Sequence, residues 1–121
     1  MKYEELYQRE LAAYLRLRDR DVDSVLGFAV PRLINHRDEL WIIEMEIVSP
    51  PFIVDFAGAR LDTPWEYPWD VRAEWLREKK EQFEDRWPQV SSLLSAFRGL
   101  GIHLSDVKPG NITFAAEDEI E

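Results

Sequence analysis

Seven prolines, at positions 31, 50, 51, 64, 68, 88 and 109, partition a chain of 121 residues. Proline has no main-chain N–H, and its ring clashes with a preceding helical turn. Each one therefore ends a strand, opens a helix or sits in a bend. Long elements are confined to the intervals between them. In the first interval Tyr3, Leu6, Tyr7, Leu11, Tyr14 and Leu17 recur at helical spacing, which predicts a helix over 3–18. Glu10 projects between Tyr3 and Leu17, inside that apolar face. A carboxylate there either reaches water along a shallow face or needs a cation or several donors, because burying it alone is costly. Residues 18–24 are a charged connector, and 25–30 read as a short strand that Pro31 limits to an edge or an end.

The second interval predicts a hairpin. Residues 33–35 and 40–48 flank His36-Arg37-Asp38-Glu39, four polar residues suited to a turn. Period-two alternation puts Trp41, Ile43, Met45 and Ile47 on one face and Ile42, Glu44, Glu46 and Val48 on the other. Ser49-Pro50-Pro51 takes the chain out of the sheet. Residues 52–61 suit a strand or a short helical piece equally, and 62–68 form a proline-punctuated loop with Trp65 and Trp69 close by. A charged helix is expected over about 70–86, with Val71, Trp75, Leu76, Phe83 and Trp87 inward and Glu78, Lys79, Lys80 and Glu81 outward. Pro88 fits a first helical turn. Val90, Leu93, Leu94 and Phe97 then give an i, i+3, i+4, i+7 stripe that Gly99 and Gly101 stop. Residues 112–114 suggest a last short strand before an acidic tail at 115–121. The order predicts an α+β fold in one domain: an N-terminal helix, a small antiparallel sheet, then two helices and a final turn.

Charge and composition exclude several function classes. With 24 acidic and 15 basic residues the net charge is −9, which repels phosphate backbones and anionic lipid and argues against nucleic-acid and membrane partners. No cysteine is present, so disulfides, thiolate metal sites and thiol catalysis are excluded, and a cytoplasmic location fits. His36 and His103 are too few for a histidine cage. The N-terminus lacks the apolar stretch of an export signal, and the most apolar run, 40–48, is too short to span a bilayer and contains Glu44 and Glu46.

One segment carries chemistry: Asp106-Val107-Lys108-Pro109-Gly110-Asn111. Asp and Asn beside a Pro-Gly pair can simply cap local backbone and fix a turn. The segment also resembles the catalytic loop of the protein-kinase-like superfamily, D-x-K-P-x-N. In that family the aspartate orients the substrate hydroxyl, the asparagine holds magnesium and the lysine faces developing phosphate charge. The resemblance implies those roles for Asp106, Asn111 and Lys108. Its context extends the likeness over about residues 3–114. The helix 90–100 with Gly101-Ile102-His103 resembles the helix that leads into the loop. Residues 42–48 resemble the strand and hinge between lobes, with Met45 as gatekeeper and the backbone near Glu46 to Val48 contacting adenine. Arg9-Glu10-Leu11-Ala12-Ala13-Tyr14 resembles the small-lobe helix, which implies a lysine partner for Glu10.

Departures from the family limit that implication. No glycine-rich phosphate loop precedes Tyr3, and only Lys2 precedes the helix to act as the strand lysine. Asp55-Phe56-Ala57-Gly58 imitates the metal-binding Asp-Phe-Gly but stands before the loop, and so reads as a coincidence; Asp118 follows Asn111 too closely to replace it. Leu104 stands where the family has histidine, with His103 one place early. The activation segment and helical base of the large lobe are missing. His103, Ser105 and Asp106 are too near one another in the chain to converge as a triad, and Glu44 with Glu46 lack a third group for a paired-acid site. The expectation is a truncated, single kinase-like domain: small-lobe-like over 1–48, hinge and Pro/Trp loop over 49–69, helices and catalytic-loop-like segment over 70–114. It is expected to be noncatalytic, to need no cofactor and to bind a protein partner or a second copy. The alternative is a small phosphotransferase whose ATP and magnesium site is completed by another chain.

Overall fold

The computed structural model describes residues 3–54, 56, 58–64, 66–104 and 107–114. Its architecture is α+β. Helix α1 spans Tyr3–Asp19, and its stripe of Tyr7, Leu11, Tyr14 and Leu17 is buried. The segment 25–30, read as one strand, is instead a tight hairpin. Strands β1 (Ser24–Val25) and β2 (Phe28–Ala29) are joined through Leu26 and Gly27. Both turn residues have positive φ, 49° and 85°, the two-residue geometry whose twist matches an antiparallel pair.

Strand β3 (Leu33–Arg37) pairs antiparallel with β4 (Ile42–Met45), confirming the expected hairpin with its turn moved two residues on. A 3-10 turn over Asp38–Leu40 closes it, and Trp41 takes φ 53°. Residues 46–48 are not strand. The face read as inward is only partly so: Ile43 and Met45 are half-buried, whereas Trp41 is 50% and Ile47 99% exposed.

The ambiguous region 52–61 holds two short strands, β5 (Phe52–Ile53) and β6 (Arg60–Leu61). Strand β5 is central. It pairs parallel with β2 on one side and antiparallel with β8 (Ile112–Thr113) on the other, giving the sheet order β1-β2-β5-β8. The expected sheet was antiparallel throughout, so the β2–β5 pair departs from it. A third small sheet joins β6 to β7 (Ile102–His103).

Helix α2 (Trp69–Phe83) gives way to a 3-10 turn at Glu84–Arg86, and α3 (Trp87–Gly99) follows with Pro88 in its first turn. On α3 all four stripe residues, Val90, Leu93, Leu94 and Phe97, are buried. On α2 the reading was less accurate: Val71 and Leu76 are exposed, and Lys79, assigned to the wet face, is buried. Its Nζ donates to Gln82 Oε1 at 3.1 Å and lies 5.8 Å from the Trp75 ring. An aliphatic stem over indole is apolar enough to occupy an inner position while the ammonium keeps a polar partner.

The core gathers Tyr14, Phe28, Val30, Phe56, Val90, Leu93, Phe97 and Ile102, so α1, the four-stranded sheet and α3 share one apolar centre. Arg16 on α1 fastens the periphery. Its Nη1 and Nη2 donate to Asp62 Oδ1 and Oδ2 at 2.9 and 2.7 Å, and Nη1 also donates to the Leu100 carbonyl at 3.0 Å. That two-pronged pair holds the Asp62 carboxyl below its ordinary range.

Candidate functional site

The catalytic-loop-like turn is held by its apolar residues. Val107 and Ile112 are both buried and pin a polar turn between them. Lys108 is extended, and Pro109–Asn111 forms a 3-10 turn closed by the Asn111 N–H on the Lys108 carbonyl at 2.9 Å. The Asn111 carbonyl then accepts from the Val54 N–H at 2.9 Å, extending the β5–β8 ladder in which Ile53 faces Ile112 and Phe52 faces Thr113. Lys108 is exposed and Asn111 half-buried. Asp106, with Ser105, lies outside the described residues.

Strand β5 runs straight into Asp55-Phe56-Ala57-Gly58, the segment set aside because it precedes the turn in the chain. The residue just before it adjoins the turn: Val54 is bonded to Asn111, and Phe56 follows two residues on. Asp55 and Ala57 lie outside the described residues, but Phe56 is fully buried. Its ring meets Tyr14 edge-on at 5.1 Å and Phe97 at 5.6 Å.

Glu10 also acquires a partner that the sequence did not suggest. Its Oε2 accepts from the Phe56 N–H at 3.2 Å, with Glu10 half-buried on α1 one turn before Tyr14. A main-chain donor provides part of what an inward carboxylate needs. Glu10 and Tyr14 thus both hold Phe56, one by its amide and one by its ring.

The hinge-like residues lie differently. The Glu46 N–H donates to the Arg32 carbonyl at 2.9 Å, so that donor is engaged within the fold. Its side chain is exposed, and Val48 is half-buried. Met45 and Glu10 line an open cleft of about 490 Å³ between α1 and the β3–β4 hairpin, together with Tyr7 and Trp41. At its edge Tyr7 Oη donates to Asp38 Oδ1 at 2.5 Å, and His36 Nδ1 lies 2.9 Å from the same oxygen. Desolvation, then the Asp38 carboxylate, pushes the Tyr7 hydroxyl up to about 12, while the Tyr7 and His36 contacts hold Asp38 low. Glu46, Val48, Lys108 and Asn111 do not line this cleft.

Of the site residues expected from sequence, then, Glu10 meets the segment that adjoins Asn111 and Lys108, while Glu46 and Val48 stand apart near the exposed hairpin. No grouping of three or more His, Asp or Glu able to hold a metal occurs among the described residues. No helix among them is long and apolar enough to cross a membrane. No family model matches this chain, and neither a curated protein nor a solved structure matches it.

Proposed function

We propose that this chain is a kinase-like domain without catalysis of its own, acting as a binding or regulatory module that associates with a second copy through the β3–β4 hairpin. The observation that carries the reading is the hairpin's surface. Ile34 and Ile42 on its strands, Leu40 and Trp41 in its turn and Ile47 just past β4 are between 49% and 99% exposed. Large apolar side chains exposed together on one small element are a common mark of a partner surface. Both strands carry open edges, and a two-fold pairing of identical edges is the simplest closed assembly. Sedimentation velocity tests it: a dimer is expected, and Ile42→Lys with Ile47→Lys should give monomer with an unchanged far-ultraviolet spectrum. A monomeric parent protein would refute self-association.

The second reading, a phosphotransferase completed by another chain, is supported by the bond of Val54 to Asn111 at the end of the β5–β8 ladder and by the contact of Glu10 with Phe56. In it Asp106 would orient the acceptor hydroxyl, Asn111 would hold magnesium and Lys108 would meet phosphate charge. Phosphoryl transfer depends on positioning and charge neutralisation, so the parts this chain lacks would come from its partner. Magnesium-dependent stabilisation by ATP, lost in Asp106→Ala and Asn111→Ala, selects this reading. An unmoved unfolding midpoint at saturating nucleotide selects the first.

A further inference from the structure

A second cavity lies between α2, α3 and β7. It measures about 150 Å³ and is lined by Tyr67, Arg72, Trp75, Leu94, Arg98 and His103, among others. Its walls divide by chemistry: Trp75 and Leu94 give an apolar side, and Arg72 and Arg98 bring two guanidinium groups. The volume is close to that of an apolar cavity that accepts one benzene ring, about 150 Å³.

The charge at this cavity runs against the rest of the molecule. The chain has nine more acidic than basic residues, yet among the described residues no Asp or Glu lines the cavity. Arg16, Arg32 and Arg77 each hold a carboxylate. Arg72 and Arg98 hold none among the described residues, although Asp70 sits in the same turn as Arg72. Arg98, in the last turn of α3, is at least favoured by the negative end of its helix. Arg72 is the fourth residue of α2, where the helix end is itself positive, so its placement adds like charge to like. Two arginines drawn from different helices to one cavity repel each other, and an anion between them relieves that repulsion. Guanidinium is the side chain best shaped for a planar oxyanion head.

We propose that this cavity binds a small organic oxyanion, a carboxylate or phosphate head carried on a single flat ring. Arg72 and Arg98 take the head, and Trp75 and Leu94 pack on the ring. The inference is independent of both functional readings above, since it uses neither the turn nor the hairpin.

The test is a heteronuclear NMR titration of the full chain with four probes: benzoate, phenyl phosphate, the neutral isostere benzamide, and inorganic phosphate. Saturable shifts centred on Trp75, Leu94 and His103 are expected for benzoate or phenyl phosphate, and whichever binds more tightly names the head group. Benzamide and inorganic phosphate should bind at least about tenfold more weakly, because each supplies half of the recognition. Both arginines are exposed, so the Arg72→Gln/Arg98→Gln double variant keeps the unfolding midpoint without ligand. It should lose about tenfold or more in affinity, about 1.4 kcal/mol. The proposal is overturned if neither aryl anion saturates, if benzamide binds as tightly as the anions, or if the double variant binds within about twofold of the parent.

Discussion

Gly101→Ala is expected to cost far more than its one methyl suggests. Gly101 has φ 79°, a conformation in which an L side chain meets its own backbone. That strain is about 1–2 kcal/mol. The added methyl would also drive into Asp62 and Arg16, the two ends of the two-pronged ion pair. Losing the pair adds little by itself: its side chains are 19% and 65% exposed, so solvent screens it. Displacing Arg16 also breaks its bond to the Leu100 carbonyl, about 1 kcal/mol. Strain and the lost bond together cost about 2–3 kcal/mol, a fall in melting temperature of roughly 8–12 °C. Gly99→Ala is the internal control. Gly99 closes α3 with no positive φ and open space where a Cβ would sit, so alanine there should be neutral or stabilising. Urea unfolding of the two variants, each also in an Asp62→Ala background, separates strain from collision. Gly101→Ala should remain destabilising with Asp62 removed, but by less. Equal midpoints for Gly99→Ala and Gly101→Ala would refute the reasoning.

Phe56→Ala should destabilise by about 3–5 kcal/mol, because the ring is fully buried between Tyr14 and Phe97; a loss under about 1 kcal/mol in urea titration would remove Phe56 from the core. The carboxyls of Asp62 and Asp38 are held low. Their stabilisation is therefore present above the ordinary carboxylate value, about 3.9, and is lost as pH falls through the lower folded values. Asp62→Asn should flatten the acid limb of the stability profile. Tyr7 works at the other end: with its pKa raised to about 12 its contribution is intact below the ordinary value near 10 and fades as pH rises from there toward about 12. Tyr7→Phe should remove that alkaline decline, as followed by thermal unfolding against pH.

The sequence alone determined the helices and the punctuation. The α1 and α3 stripes are periodic over four or more residues, and periodicity is a local property that needs no partner. Prolines likewise act on their own neighbours, which is why Pro31, Pro50-Pro51 and Pro88 lie at element boundaries. Most of what positions the candidate site was decided elsewhere. Alternation along 41–47 separates two strand faces but cannot say which of them meets the core, and the hairpin left Trp41 and Ile47 in water. Strand β5 is two residues long and carries almost no local signal; only its pairing with β2 and β8 makes it central. Through that pairing the tertiary fold brought Phe56 to Glu10, 46 residues away, and set Val54 beside Asn111, farther still along the chain. Contacts at that separation cost loop-closure entropy and are won back by shared burial, a balance that no window of the sequence contains.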